Sequence, residues 1–463
     1  MRVRRTAAWV SAAALSAAAL PACGGTVAAD TVAWEPCTDL AAYVTDLGVD
    51  DSVVDRLQCA SLEVPLNYAD PGGRTVELAL SRVQGTDPAA PALFVNPGGP
   101  GVEGRSMAAT VASDLGPGGT VVGIDLRGTG YSTAVDCALP DEPDTRDDGS
   151  LAAYADAIAA ANRNCVEADP EFLGSLTTAN AARDVDAVRG ALGLDTVDFL
   201  GVSWGTVLGA ELQSTFPTHL RRVVLDSMDY TGTSADAALR TLAAADPDVP
   251  PEMVPEAVAV DSGGGDQITP DEPDVPPGDA PEPDDNDSPL DPATADFLEH
   301  AFDATAGTGY ICNSLDPVGD STVQLAEHRA INAELNRDPQ RRIEFPASSD
   351  VPGVSLCSGW PLRAVPTAVA DTGSDLLIVG HRDENVTPYA WALDAHAAMG
   401  GRLLTIEDAA HGSTVDRRAG DWSPSSSTPD GSRGARASRT DSKPALLGFS
   451  WIACSRSSES AVR

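Results

Sequence analysis

Six short runs rich in Val, Leu and Ile, at residues 92–96, 121–125, 197–200, 223–226, 376–380 and 403–406, constrain this chain more than any other feature. Continuous apolar runs of four or five residues suit strands buried on both faces, the condition of a parallel sheet. Between them lie helical patterns, the clearest carrying Ala181, Val185, Val188 and Leu192 on one face and stopping at Gly193. Strands that alternate with helices specify an α/β fold with a mostly parallel, doubly wound sheet.

Two stretches interrupt the alternation. Between Arg240 and Arg329 there is no Lys or Arg, and residues 246–291 hold 15 Asp and Glu among Pro, Gly and Ser. Such a segment buries too little apolar surface to offset its ordering entropy, so an acidic disordered loop is expected at about 246–292. Residues 231–374 around it, with helix-like pieces at 294–304 and 322–335, are expected to form a lid or cap inserted between two strands. The second break follows His411: residues 413–463 carry 8 Lys and Arg against 5 Asp and Glu, are rich in Ser and lack periodicity. A disordered tail is expected there, and a change of reading frame near its start is the sharper account of the switch. The core then divides into residues 23–230 and 375–412.

The formal net charge of -39 excludes nucleic acid as a natural ligand and disfavours anionic lipid. Residues 1–22 read as a signal peptide, with basic Arg2, Arg4 and Arg5 before an apolar stretch too short to span a bilayer. It ends in Leu20-Pro21-Ala22-Cys23, which resembles the bacterial lipoprotein cleavage box and would make Cys23 a lipidated first residue; ordinary secretion is the alternative. Either way the protein is expected outside the cytoplasm, where cysteines pair. Apart from Cys23 and Cys454, the cysteines fall into neighbouring pairs: Cys37 with Cys59, Cys137 with Cys165, and Cys312 with Cys357. No Cys or His spacing suits a metal, and no cofactor is expected.

Gly201-Val202-Ser203-Trp204-Gly205 directly follows one apolar run and precedes a helical one. A GxSxG turn between strand and helix projects its serine hydroxyl, which makes Ser203 the expected nucleophile. A hydroxyl needs a base, and the base needs an orienting acid. Of six histidines (His219, His300, His328, His381, His396 and His411), only His411 follows a late strand within a loop, so it is the expected base, with His381 the nearest rival. The acid should follow the run at 376–380, where Glu384 and Asp383 stand side by side: spacing favours the first, residue type the second. The glycine-rich turn Asn96-Pro97-Gly98-Gly99-Pro100-Gly101 suits an oxyanion hole formed by the amides of Gly99 and Trp204.

These motifs, together with Asp125-Leu126-Arg127-Gly128-Thr129-Gly130-Tyr131-Ser132, Thr387-Pro388-Tyr389-Ala390-Trp391-Ala392, Trp34-Glu35-Pro36-Cys37, the segment from Cys59 to Tyr68 and Cys357-Ser358-Gly359-Trp360-Pro361, resemble the secreted tripeptidyl aminopeptidases of high-GC bacteria. Those are relatives of proline iminopeptidases in the α/β-hydrolase fold, and the resemblance runs from about Trp34 to Gly412. It implies Ser203 as nucleophile, His411 as base and, three residues before Thr387, Glu384 as acid. Val102 and Glu103 depart from the small residues the family carries beside its oxyanion turn, which suggests a narrower or charged pocket mouth. Asp125 and Arg127 are expected to be scaffold.

The expected activity is that of an exported serine exopeptidase acting on free peptide N-termini through an acyl-enzyme. Two other readings compete: a carboxylesterase or lipase with the same triad, and a lipid-anchored binding protein with impaired chemistry. Peptides with a free N-terminus are the expected partners, with a membrane reached only through a lipid anchor.

Overall fold

A computed structural model of the chain describes residues 32–140, 148–244, 292–316, 355–413, 422–424 and 434–439. The signal segment, Cys23, residues 246–291 of the acidic loop, the helix-like stretch at 322–335, His328 and Cys454 lie outside those residues.

All six apolar runs become adjacent or near-adjacent strands of one eleven-stranded sheet. They are β4 (Leu93–Asn96), β5 (Val121–Ile124), β6 (Val197–Val202), β7 (Leu220–Asp226), β8 (Asp375–His381) and β9 (Arg402–Ile406). These six run parallel in the order β5-β4-β6-β7-β8-β9. Three antiparallel strands extend the β5 edge: β1 (Glu35–Pro36), β2 (Leu57–Pro65) and β3 (Thr75–Val83). No apolar run announces β2, because Gln58, Ser61 and Glu63 interrupt it and much of it is only half-buried.

Side chains alternate across the parallel strands. Leu93 and Val95 join one apolar cluster with α1 (Thr38–Asp46), α2 (Asp51–Val54) and α3 (Arg105–Leu115). Phe94 joins another, with α4 (Asp148–Ala168), α5 (Pro170–Ser175), α6 (Thr178–Ala191) and α7 (Trp204–Thr215). Both faces of the sheet are therefore covered, which is why these strands read as continuous runs. Burying one such aromatic contributes about 1.5–3 kcal/mol. The helix expected around Val185 is α6. Thr177 caps its start by accepting from Asn180 N, Ala181, Val185 and Val188 are buried, and the chain leaves it through Gly193 at φ 67°.

Between β7 and β8 the described pieces include α8 (Ala235–Ala244), α9 (Pro292–Glu299) and α10 (Ala304–Cys312). The single helix expected at 294–304 is corrected here. The first helix ends at Glu299, and Asp303 caps the next, its carboxylate accepting from Ala306 N at 2.6 Å. Both helices pack onto the body: Phe297 stacks on Tyr43 at 4.4 Å, and Tyr310 lies 5.0 Å from Trp204.

Two short strands lie within residues 413–463. Strand β11 (Gly434–Arg439) pairs parallel with β9, and β10 (Trp422–Pro424) pairs antiparallel with β11. The physical reason is the edge of β9, whose backbone groups need partners. The cysteines bond as Cys37–Cys59, Cys137–Cys165 and Cys312–Cys357.

Candidate active site

The site lies at the carboxyl ends of β6, β7 and β8 and in the loop after β9. Ser203 leaves β6 with φ 55° and ψ -130°, a backbone state that costs a non-glycine residue about 1–3 kcal/mol. The surroundings enforce it. Ser203 N donates to Asp226 O at 3.1 Å, and Thr206 N donates to Ser203 O at 2.8 Å. A Cβ on Gly201 would lie 2.2 Å from Gly205 O, and one on Gly205 would lie 2.5 Å from Asn96 O, so both glycines of the turn are sterically required.

The glycine-rich turn presses against this elbow. Gly98 has φ +101°, and a Cβ there would sit 2.6 Å from Val202 O and 2.8 Å from Trp204 N. The Gly98 amide donates to Asn96 Oδ1 at 3.2 Å, which makes Gly99 the next donor along the turn. Trp204 opens α7, so its amide is one of the first-turn donors that have no intrahelical partner. The glycine-rich turn and the positive end of α7 thus meet at the elbow that carries Ser203.

His411 Nδ1 bonds Glu384 Oε1. Glu384 is 2% exposed, and its carboxylate also accepts from Ser227 Oγ at 3.0 Å, Thr387 N at 3.2 Å and Thr387 Oγ1 at 2.5 Å. Asp383, the alternative acid, is exposed, and its amide donates to Asp408 O at 3.0 Å. The structure therefore brings Glu384 and not Asp383 to the histidine. The extra methylene of Glu reaches across, and burial holds the carboxylate in place. Ser227 ties the far side, since Gly412 N, next to His411, donates to Ser227 Oγ at 2.9 Å.

Burial alone would lower the pKa of His411, but hydrogen bonding and attraction to Glu384, with Asp226 and Asp229 farther off, raise it overall. With its Nδ1 proton on Glu384, the neutral ring keeps Nε2 as the basic nitrogen. Asp229 lies within the same field: burial, opposed by the Tyr230 amide and His411, pushes its pKa up to about 6.

His381, the nearest rival as base, is instead held between two carboxylates. Its ring is fully buried, with Nδ1 2.6 Å from Asp408 Oδ1 and Nε2 3.1 Å from Asp226 Oδ1. Of the other described histidines, His219 pairs with Asp186, and His300 Nδ1 bonds Asp296 O.

The profile of the alpha/beta hydrolase fold family matches residues 91–416. The chain belongs to the α/β-hydrolase fold family. Over 200 residues it is 36% identical to the tripeptidyl aminopeptidase of Streptomyces coelicolor, a match covering 40% of this chain and 37% of that protein. It is 32% identical to carboxylesterase B of Mycobacterium tuberculosis over 218 residues, 44% of this chain and 41% of the relative. It is 31% identical to the serine protease Hip1 of the same organism over 224 residues, 45% and 42% of the two chains. The chain thus spans about two fifths of the length of these curated relatives.

In this chain Asp125 and Arg127 are held as scaffold. Asp125 accepts from the amides of Gly104, Arg105 and Tyr131 and from Arg105 Nε, while Arg127 grips Asp184 and two backbone carbonyls. Glu103, expected to charge the pocket mouth, is 3% exposed and accepts from Ser106 N at 3.0 Å, capping the start of α3. Burial, reinforced by Asp125, pushes its pKa up to about 7. Val102, half-buried, forms a bridge with Phe302 at that point. Among the described residues no group of three or more His, Cys, Asp and Glu is placed to hold a metal ion.

Sequence reasoning also missed Ser227, Thr387, Asp226 and Asp408. Thr387 was visible only as part of a Thr-Pro turn, and Asp226 only as the polar end of an apolar run. Ser227, at φ 57°, left no signature.

Proposed function

We propose that this hydrolase is an exported serine exopeptidase that removes short peptides or amino acids from free N-termini. The observation that carries the serine chemistry is the pairing of buried Glu384 with His411, tied through Ser227 to the end of the strand whose Asp226 carbonyl anchors Ser203 in a strained strand-to-helix turn. In this reading His411 Nε2 takes the proton of Ser203 as Oγ attacks the scissile carbonyl. Glu384 stabilises the imidazolium that forms, and the amides of Gly99 and Trp204 receive the oxyanion. His411 then returns the proton to the departing amine, and water repeats the sequence on the acyl-enzyme.

The aminopeptidase specificity is supported by the likeness to the tripeptidyl aminopeptidase. Export is supported by the basic and apolar start of the chain and its three disulfides, and lipidation of Cys23 by the sequence before it. The likeness to a carboxylesterase of similar identity favours ester hydrolysis as a second reading.

Purified full-length protein should react with a fluorophosphonate probe, and Ser203→Ala should not. Tripeptide anilides with a free N-terminus should be cleaved, and the same peptides acetylated at the N-terminus should not. Hydrolysis of short p-nitrophenyl esters without cleavage of any amide would select the esterase instead.

A further inference from the structure

Two carboxylates contact the two ring nitrogens of His381 inside the protein, and ionised carboxylates only accept hydrogen bonds. A neutral imidazole donates once; satisfying both partners requires the imidazolium. The chemistry agrees: burial opposes the charge, but hydrogen bonds to Asp226 and Asp408 and attraction from Asp226 and Glu384 push the pKa of His381 up to about 10.

The two carboxylates belong to the two halves of the active site. The main-chain oxygen of Asp226 accepts from Ser203 N at 3.1 Å, so the end of β7 anchors the nucleophile's backbone. Asp408 Oδ1 accepts from Ala410 N at 3.3 Å, directly before His411, and Asp408 O accepts from Asp383 N at 3.0 Å, directly before Glu384. The buried cation spans the interval between these anchors, with contacts of 3.1 Å and 2.6 Å.

We infer that His381 is a positioning residue, a buried imidazolium clamp that ties the end of β7, where Ser203 is anchored, to the loop that presents His411. The inference rests on the proposed nucleophile and base. The clamp has an electrostatic consequence as well as a mechanical one. The charged groups that act on His411 are Glu384, Asp226 and Asp229, and those that act on His381 are Asp226, Asp408 and Glu384. While His381 is charged, it offsets the negative charge of Asp226. Without it, that charge acts on His411 uncompensated and raises the pH at which the base becomes neutral.

The test is the rate of fluorophosphonate labelling of the full-length protein from pH 5 to pH 10. Labelling of the wild type and its loss in Ser203→Ala establish the reading on which the clamp rests; failure there overturns that reading and is distinguishable from failure of the clamp. His381→Gln should cut the plateau rate about tenfold or more and move the acid midpoint up by about half a pH unit or more. A folded His381→Gln protein with wild-type plateau and midpoint overturns the inference. Asp408, whose side chain is 39% exposed, provides a pair of variants that tolerates substitution better. Asp408→Ala should lose about tenfold in plateau rate, while Asp408→Asn, which keeps an acceptor for His381 and Ala410, should recover most of that loss. Equal rates for the Ala and Asn variants overturn the clamp even if His381→Gln does not fold.

Discussion

Glu384 and Asp383 are neighbours in sequence and differ by one methylene, yet only one of them is in a position to orient a histidine. Glu384→Gln should keep the fold, because its one amide oxygen still accepts from Thr387, but it removes the charge that stabilises the imidazolium. Labelling and hydrolysis should fall by about 10²–10⁴-fold. Asp383→Asn, at an exposed carboxylate, should stay within about twofold. Equal losses in the two variants would refute the assignment. The choice was not legible in the sequence, because residue type and spacing pointed in opposite directions and burial is a property of the tertiary fold. The same environment sets the pH dependence. His411 must be neutral to act as base, and its pKa lies above the ordinary histidine value, so activity should fail on the acid side at a pH above about 6.5. Asp229, when ionised, helps to hold it there. Asp229→Asn should therefore move the acid limb to lower pH, and an unmoved or upward-shifted limb in the pH–rate profile would contradict this electrostatic reading.

The turn between β4 and α3 and the turn between β6 and α7 are built against each other, and their separation is a backbone dimension. Gly98→Ala tests that contact directly. Its Cβ would meet Val202 O at 2.6 Å and Trp204 N at 2.8 Å, on a residue at φ +101° that L side chains rarely adopt. Neither neighbour is a flexible side-chain end, so the turn must move. The variant should lose about 1–3 kcal/mol of stability, read as a lower urea midpoint, and nearly all fluorophosphonate labelling. Retention of full labelling would mean that the turn has no part in stabilising the oxyanion. Elements of this kind were readable where one physical rule dominated: continuous apolar runs gave the six parallel strands, and Gly-rich turns after them gave the two loops. Strands β2 and β3 escaped because their exposure is mixed. The split between α9 and α10 escaped because a capping Asp303 interrupts a pattern that is apolar on both sides.

One buried ion pair joins more of the molecule than any motif around Ser203 suggests. Arg127, in the turn after β5, is fully buried and forks onto Asp184 of α6 through Nε at 2.7 Å and Nη2 at 2.6 Å. Its Nη1 donates to Leu66 O at 2.9 Å, just past β2, and its carbonyl accepts from Tyr310 of α10 at 3.0 Å. Tyr68 completes the set by donating to Asp184 at 2.7 Å. Four distant stretches of chain thus converge on Arg127 and its partner Asp184. Removing the cation alone strands a buried carboxylate and two carbonyls, so Arg127→Met should cost about 3–5 kcal/mol. Removing both charges exchanges the pair for apolar packing, so Arg127→Met with Asp184→Leu should cost clearly less than the sum of the single changes. Urea unfolding at constant slope reads both quantities. A double variant as unstable as that sum would show two independent scaffolds in place of one coupled pair. The outcome also bears on the acidic character of the whole chain. At a net charge of -39, unpaired carboxylates repel one another, and a buried arginine shared by β2, β5, α6 and α10 offsets that repulsion where solvent cannot screen it.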